Sequence, residues 1–312
     1  MENIEFFLKP MPPFRLDYTV WVLRRRPDNA WDHWKGQIYR RIIPLSDSCV
    51  DVSVVQTGPP EAPYLKIVGR SSAFPVHAEE LITSALERLL GLRSDLTLFY
   101  EMAAADPFLA PLAQTYRGVK PPRFLSLFES LVNAIACQQL SLTVGIRLLN
   151  SLCDRYGRYS LDTNSTNHAF PLPEDLAGSD LESMRTMGFS RQKALAIIML
   201  ANSSCDGALD LDAIETMDDE LALENLLKLR GVGRWTAEYA LLRGMGRQHI
   251  FPGDDVGARN NLIRWLNISQ PLDYDGIGEI LRHWRPYAGL IYFHLLLASL
   301  AKSGLTREKM EM

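Results

Sequence analysis

The chain has 312 residues, a net charge of −4 and 47% hydrophobic residues. This length suits one large domain or two to three small ones, and the composition is that of an ordinary water-soluble protein. The acidic balance weighs against a protein that holds nucleic acid by an overall positive field. The absence of a long apolar run argues against a membrane span.

The cysteines and the N-terminus indicate a reducing, cytoplasmic setting. Nothing at the acidic N-terminus resembles a signal peptide. The chain lacks the spacing of a Cys/His metal site, a nucleophile elbow and a Walker A loop. Four cysteines lie far apart, which predicts reduced, mostly buried thiols and excludes the thiolate cluster of an iron–sulfur site: Cys49, Cys137, Cys153 and Cys205.

The first quarter of the chain has the composition of a small β-sheet. Strand-forming residues concentrate at 18–23, 49–55 and 64–68, and the second stretch alternates apolar and polar residues. Residues 79–92 follow with the period of an amphipathic helix. We therefore predict an N-terminal α/β domain over residues 1–120 with a small antiparallel sheet.

A run of three arginines, Arg24, Arg25 and Arg26, lies within this domain. Such a run most often marks a solvated face of a protein. It also suits contact with a nucleic acid backbone, because phosphates attract clustered cations. The sequence favours the solvated face.

From residue 121 onward the pattern is almost wholly helical. Residues 287–301 form an apolar run that predicts a central buried helix, with His294 as a core histidine. Residues 163–173 predict a polar loop. The predicted fold class is mainly α with an α+β N-terminal domain, and the helical body over 121–312 forms two lobes around a cleft. Seven other helical stretches are predicted at 124–136, 142–156, 191–201, 219–229, 235–242, 258–266 and 277–284.

A glycine hairpin joins two of these helices, and this helix–hairpin–helix spans about residues 219–244. Gly231 and Gly233 allow a tight turn and leave no Cβ to block an approaching strand. The second helix begins there, so its unpaired N–H groups predict a phosphate site. From Lys228 to Trp265 there are seven cations and three anions, a local excess of positive charge. A Gly-x-Gly turn alone is common between helices. The prediction of a phosphate site therefore depends on the residues that flank the turn.

A loop rich in glycine and proline follows the hairpin and carries two adjacent carboxylates. Either Asp254 or Asp255 can cap the helix that comes next, and the pair allows one residue to cap while the other acts chemically. Trp235 and Tyr239 stand four residues apart on the second hairpin helix, which places them on one face. That spacing suits either a core position or a ligand-binding face.

The order of these features resembles the signature of the helix-hairpin-helix (HhH-GPD) superfamily of base-excision DNA glycosylases. Residues 227–255 contain Gly-Val-Gly-Arg-Trp-Thr-Ala-Glu-Tyr and then Phe-Pro-Gly-Asp-Asp, which is most similar to the bacterial 3-methyladenine-DNA glycosylase II branch. The stretches 128–141, 187–194 and 284–288 resemble further segments of that branch. The likeness covers about residues 10–302 and is strongest in the helical body.

The resemblance implies roles for the loop and for the helix that follows the hairpin. Asp255 matches the catalytic aspartate, which leaves Asp254 a supporting or capping role. Trp235 stands where lyase-competent relatives have a nucleophilic lysine, and this implies a monofunctional enzyme without AP lyase activity. Trp235 and Tyr239 match aromatic residues of the base pocket, and Phe293 matches a third pocket position.

The resemblance also implies where the enzyme contacts DNA. The partner is damaged double-stranded DNA, bound by a protein that we expect to be a monomer. The hairpin residues implied to bind the DNA backbone are Gly231, Val232, Gly233 and Arg234. The wedge that fills the gap left by an extruded base is implied to be Gln139 or Leu140.

A monovalent cation is the one cofactor that the resemblance suggests, and none is required. The backbone carbonyls of Leu227, Leu229 and Val232 match hairpin positions that hold Na⁺ or K⁺ in relatives. Neutral carbonyl oxygens suit a hard ion of this kind.

The predicted function is base-excision repair of alkylated DNA. The enzyme extrudes an alkylated purine, stacks it on Trp235 and Tyr239, and hydrolyses the N-glycosidic bond to leave an abasic site. Asp255 stabilises the positive charge that develops on the sugar. The alternatives are a glycosylase for deaminated or oxidised bases and a non-catalytic protein that binds damaged DNA.

Overall fold

A five-stranded antiparallel sheet opens the computed structural model, which describes residues 2–45, 48–159 and 168–306. Val50, Val52 and Val54 share its buried face, because side chains alternate along a strand. The predicted sheet is confirmed, as are the strands expected at 49–55 and 64–68. The strand order is β1-β5-β4-β3-β2, with β1 Glu2–Leu8, β2 His33–Lys35, β3 Ile38–Leu45, β4 Ser48–Gln56 and β5 Leu65–Ser71.

The strand predicted at residues 18–23 is wrong, because these residues lie in a helix, α1 (Leu16–Arg24). Their β-branched and aromatic side chains favoured a strand by composition. In the structure Leu16 and Val20 pack into the core of the sheet, while Trp21 packs with the C-terminal helices. Tertiary packing overrides the strand propensity of these residues, since seven of the nine residues of α1 are buried.

The rest of the described chain is helical. The predicted helices are confirmed with small changes at their ends, except that the last short one begins at Tyr274 and gives way to a 3₁₀ helix at Leu281–Tyr287. Of the polar loop predicted at 163–173, residues 163–167 lie outside the described ranges, and α7 begins at Pro173. The helices are α2 Ala78–Leu90, α3 Thr97–Ala104, α4 Leu109–Thr115, α5 Leu127–Cys137, α6 Leu142–Tyr156, α7 Pro173–Leu176, α8 Leu181–Thr186, α9 Arg191–Cys205, α10 Leu211–Thr216, α11 Asp219–Leu227, α12 Arg234–Arg243, α13 Val256–Trp265, α14 Tyr274–Ile280 and α15 Ala288–Lys302.

Helix α12 contributes to all three hydrophobic cores of the described chain. One core lies among α5, α6 and α9, a second surrounds α15, and the third lies under the sheet. Ala240 packs in the first core, Leu242 in the second and Tyr239 in the third. The helix that follows the glycine hairpin is therefore held from several sides, which fixes the position of the residues at its N-terminus. The domain boundary predicted at residue 120 stays a prediction.

A buried ion network joins the sheet to the helical body. Arg41 on β3 contacts Asp32 at 2.9 Å and Glu129 on α5 at 2.7 Å. Tyr39 donates a hydrogen bond of 2.7 Å to the same Asp32 carboxylate. Removing one member would leave an uncompensated buried charge, so this network ties α5 firmly to the sheet.

Two further predictions can be checked in the core. His294 on α15 is confirmed as a core histidine, since it is fully buried and its Nδ1 lies 2.7 Å from the Leu290 carbonyl oxygen. The expectation of mostly buried cysteines is wrong. All four thiols are free. Cys153 is buried, Cys49 and Cys137 are partly buried, and Cys205 is exposed. In the described ranges, no helix is both long and apolar enough to cross a membrane.

Candidate active site

An open cleft of about 1000 Å³ lies between the helical lobes, as predicted. The end of α1, the loop between α5 and α6, and the N-terminal turns of α12 and α13 line the cleft, with one face of α15 opposite them. Pieces of chain that are distant in sequence therefore meet here. A cavity of this volume can hold one extruded nucleotide and its flanking backbone.

Asp255 both caps a helix and faces the cleft. Its Oδ1 accepts a hydrogen bond of 2.8 Å from Ala258 N at the start of α13, and its Oδ2 accepts one of 3.2 Å from Trp235 Nε1. The capping role predicted for Asp254 is wrong, because Asp254 is exposed and Asp255 occupies the N-cap position in an extended conformation. One carboxylate oxygen holds the backbone while the other is bonded to Trp235, and the residue lines the cleft.

The loop that carries Asp255 is held in place from α12. Glu238 accepts a hydrogen bond from the Tyr274 hydroxyl, and the ring of Tyr274 covers Gly253 so closely that a Cβ there would meet it at 2.8 Å. Burial raises the pKa of Glu238, and burial together with the bond to Glu238 raises the pKa of Tyr274 to about 12. Arg234 lies over the same tyrosine ring at 4.6 Å. This packing explains why the loop needs glycine at this point.

An aromatic pair lines the cleft beside Asp255. The rings of Trp235 and Tyr239 are 5.5 Å apart and tilted by 36°, and both residues line the cavity. Trp235 is partly buried and Tyr239 is 3% exposed. Of the two interpretations left open for this pair, the ligand-facing one suits Trp235, whereas Tyr239 contributes to both the core and the wall.

The pocket position predicted for Phe293 is wrong. Phe293 is 1% exposed and packs in the core, with the Arg243 guanidinium 5.5 Å from its ring. Tyr292 and Leu296 line the cleft instead. They stand four residues apart on one face of α15, and Phe293 points about 100° away from that face because each helical residue turns by that angle. The periodicity of α15 could have shown this once one cavity-facing residue was known.

Arg25 forms the floor of the cleft, a role that sequence reasoning missed. Arg25 Nη1 donates a 2.8 Å hydrogen bond to the Tyr239 hydroxyl, and Nη2 donates to Asn133 Oδ1. The solvated basic face predicted for this arginine run is wrong, because Arg24 and Arg25 are each 4% exposed. Only Arg26 is partly exposed, beside Asp28. The sequence gives no signal for this burial, since the partners of Arg25 lie more than 100 residues away.

The predicted wedge residues lie on the loop between α5 and α6, at the rim of the cleft. Gln139 adopts the left-handed conformation with φ of 54°, and Leu140 is 41% exposed. The preceding Gln138 donates from Nε2 to Gly231 O and to Thr236 Oγ1, both at 2.7 Å. The wedge loop is thus bonded directly to the hairpin, although the wedging role itself stays a prediction.

The hairpin has the predicted geometry. Gly231 has φ of +77°, and a Cβ there would meet Ala196 at 2.8 Å. Gly233 is exposed at the N-cap of α12 with open space around it, and Arg234 is exposed beside it. Val232 is 7% exposed and anchors the turn in the core. The N-terminus of α12 is therefore sterically open to a ligand, and phosphate binding there stays a prediction.

Comparison with known proteins places this arrangement in a family. DNA-3-methyladenine glycosylase 2 of Escherichia coli (strain K12) is 31% identical over 284 residues, covering 91% of this chain and 94% of that protein. Residues 132–286 match the HhH-GPD superfamily of base excision DNA repair proteins.

The chain belongs to the HhH-GPD superfamily.

Two further relatives support this membership along nearly the whole chain. The DNA-3-methyladenine glycosylase of Bacillus subtilis (strain 168) is 27% identical over 285 residues, covering 90% of this chain and 93% of that protein. The solved 3-methyladenine DNA-glycosylase from Archaeoglobus fulgidus superposes with a TM-score of 0.82 at 26% identity, covering 96% of this chain and 99% of that one. The N-terminal sheet is therefore part of the likeness.

The part matched to the HhH-GPD superfamily and the cleft do not coincide. The matched stretch contains the wedge loop, the hairpin, the aromatic pair and Asp255. Arg25, Tyr292 and Leu296 line the cleft from outside that stretch. The site of this HhH-GPD protein thus combines a family motif with walls that other parts of the chain supply.

Proposed function

We propose that this protein is a DNA glycosylase that removes alkylated purines, including 3-methyladenine, from double-stranded DNA. The observation that carries the proposal is the placement of the Asp255 carboxylate beside Trp235 and Tyr239 in one cleft. A base inside a duplex cannot reach such a cleft, so the nucleotide must be extruded, which costs least at a damaged pair. The names of the relatives support the same substrate class.

The chemistry follows from the charge that develops on the sugar. An alkylated purine is already electron-poor and leaves readily, so a strong general acid is unnecessary. As the N-glycosidic bond lengthens, the sugar becomes oxocarbenium-like, and a fixed carboxylate stabilises it. Trp235 Nε1 holds one oxygen of Asp255 and Ala258 N holds the other, so the carboxylate needs little reorganisation as the charge develops.

Hydrolysis without strand cleavage is the second part of the proposal. Trp235 occupies the position at which lyase-competent relatives have lysine, and its indole N–H donates to Asp255. In the described part of the chain, the residues that line the cleft include arginines but no lysine. Borohydride trapping tests this part: the protein should form no covalent adduct with damaged DNA, and a trapped adduct would overturn it.

We also propose that the protein is a monomer. A further proposal is that the hairpin binds a monovalent cation. The Leu229 carbonyl accepts one backbone hydrogen bond, from Val232 N, which leaves a second lone pair for an ion. Leu227, Leu229 and Val232 would hold Na⁺ or K⁺ there and steady the turn beneath a bound phosphate. Exchange of K⁺ for a bulky organic cation should weaken DNA affinity at constant ionic strength.

A panel of duplexes tests the substrate class directly. Each duplex carries one lesion: 3-methyladenine, 7-methylguanine, hypoxanthine or 8-oxoguanine. The proposal predicts release of the methylated purines and little or none of 8-oxoguanine. Release of 8-oxoguanine alone would favour the alternative of an oxidised-base glycosylase. Tight damage-specific binding without any release would favour a non-catalytic protein.

A further inference from the structure

Arg25 places a buried cation against the inner end of the base cleft. The residue is 4% exposed and lines the cavity, and it ends α1 in the left-handed conformation with φ of 61°. Its position is fixed on two sides, because Nη1 donates to the Tyr239 hydroxyl and Nη2 to Asn133 Oδ1. Both partners are neutral, so no carboxylate among them cancels the charge.

The guanidinium retains donors for a ligand. A guanidinium has five N–H groups; the hydrogen bonds to Tyr239 and Asn133 use two of them, and the Cys137 thiol lies within reach of a third. Arg25 Nε is buried and has no hydrogen-bond partner in the described part of the chain. Because Nε is shielded from the cleft, the donors left to meet a ligand are the remaining Nη hydrogens of this cavity-lining residue.

A second buried cation lies behind the same wall. The Arg243 guanidinium is 5.6 Å from the centre of the Tyr239 ring, is fully buried and does not line the cleft. It therefore lies in the core, outside the cavity. A cation already held near an aromatic ring reduces the attraction of that ring for a second cation.

We propose that Arg25 is a specificity-determining residue of the base pocket. It donates to an acceptor oxygen or nitrogen on the extruded base and disfavours bases that carry a fixed positive charge. This inference rests on the proposed function and refines its substrate class. Hypoxanthine, a neutral lesion with a single carbonyl acceptor, gains from Arg25, whereas cationic lesions such as 3-methyladenine are released because they leave readily, despite Arg25.

The test compares one neutral and one cationic lesion on the same protein preparation. The single-turnover rate constant for base release is measured for hypoxanthine in a duplex and for 3-methyladenine in methylated DNA. Arg25→Met should lower the ratio of hypoxanthine to 3-methyladenine activity by about tenfold or more, the factor expected for one charge-assisted hydrogen bond. Because both values come from one preparation, the ratio does not depend on the fraction of protein that is folded.

Two control variants separate specificity from structural support. Arg25→Lys keeps the charge and three N–H donors but lacks the planar fork that holds both Tyr239 and Asn133, so its ratio should lie between those of wild type and Arg25→Met. Arg93→Met removes an exposed arginine that pairs with Glu87 and does not line the cleft, and it should leave the ratio unchanged.

Three outcomes would overturn the proposal. If Arg25 only supports Tyr239, Arg25→Met lowers both activities by the same factor, and the ratio does not move. Wild-type release of 3-methyladenine without any release of hypoxanthine would also overturn the role of Arg25. Wild-type protein that releases neither base would overturn the proposed function itself, together with this refinement.

Discussion

The cleft has two regions, a mouth around Asp255 and a floor around Arg25. These regions carry opposite charges and come from different parts of the chain. At the mouth, Asp255 is partly exposed and bonded to Trp235 and Ala258. At the floor, Arg25 is buried and bonded to Tyr239. The mouth lies within the stretch that matches the superfamily, and the floor draws on residues outside it. The comparison suggests that the shared motif holds the reacting sugar, while packing from elsewhere in the chain determines which base fits.

Replacing the carboxylate at the mouth should have the largest effect. Asp255→Asn should lower base release by about a hundredfold to a thousandfold, because the amide cannot stabilise the cationic sugar. Asparagine caps a helix about as well as aspartate, so thermal stability should stay close to that of wild type. Asp254→Asn is the matched control and should retain nearly full activity in the same release assay. Equal losses in both variants would refute the assignment of Asp255.

Breaking the buried ion network of Arg41, Asp32 and Glu129 tests how strongly it joins the sheet to α5. Helix α5 also carries Asn133, which holds Arg25 at the floor of the cleft. Glu129→Gln leaves Arg41 only partly compensated and should lower the free energy of unfolding by about 3 kcal/mol in urea titrations. Glu182→Gln removes an exposed partner of Arg185 and should change it by less than about 0.5 kcal/mol. If both variants changed the free energy of unfolding by similarly small amounts, the network would contribute little to the stability of this region.

Acid should destabilise α15, the helix that carries His294 and the cleft-lining residue Tyr292. Burial lowers the pKa of His294 to about 4, while the unfolded chain has the ordinary value of 6.5. The unfolded state therefore binds a proton first, and folding stability falls as the pH drops from about 6.5 to about 4, by up to about 3 kcal/mol. His294→Leu should reduce this loss in urea unfolding at pH 7.5 and pH 4.5. An unchanged pH dependence would contradict the role of His294.

A smaller effect is expected when only the orientation of the carboxylate is disturbed. Trp235→Phe keeps an aromatic face but removes the N–H donor to Asp255, and it should lower kcat about tenfold. Trp284→Phe is the control, because Trp284 Nε1 also donates to an aspartate, Asp106 at 2.8 Å, away from the cleft. If both variants were equally active, the bond from Trp235 would have no part in catalysis.

The smallest effect concerns the link between the wedge loop and the hairpin. Gln138→Ala removes the bonds to Gly231 O and Thr236 Oγ1 and should lower kcat/KM about threefold, mainly through weaker DNA binding. Gln114→Ala alters an exposed glutamine on α4 and should leave kcat/KM unchanged. Fluorescence anisotropy with a duplex that contains an abasic analogue measures the binding part. Unchanged affinity would mean that the loop and the hairpin act independently.

The mouth could be predicted from the sequence because its parts are local. The hairpin, Trp235 and the loop with Asp255 lie within about thirty residues, and each has a recognisable turn, cap or helical spacing. Even there, the sequence left open which aspartate caps α13. Backbone conformation decides that point, since Asp255 is the last extended residue before the helix.

The floor could not be predicted because it depends on long-range packing. A strand-like composition hid the helix that positions Arg25, and a run of arginines gave no sign that two of them are buried. The resemblance implied a pocket position for Phe293, on a helix that is apolar nearly all round. Where both sides of a helix are covered, periodicity no longer tells which face meets the ligand, so Tyr292 and Leu296 emerge only from the assembled fold.

Product analysis of one reaction tests the central claim most directly. Methylated duplex DNA is incubated with wild-type protein, and free 3-methyladenine and strand breaks are quantified in the same sample. The account predicts one abasic site for each base released, with the strand unbroken until alkali is added. Strand cleavage that keeps pace with base release, or no released base at all, would contradict it.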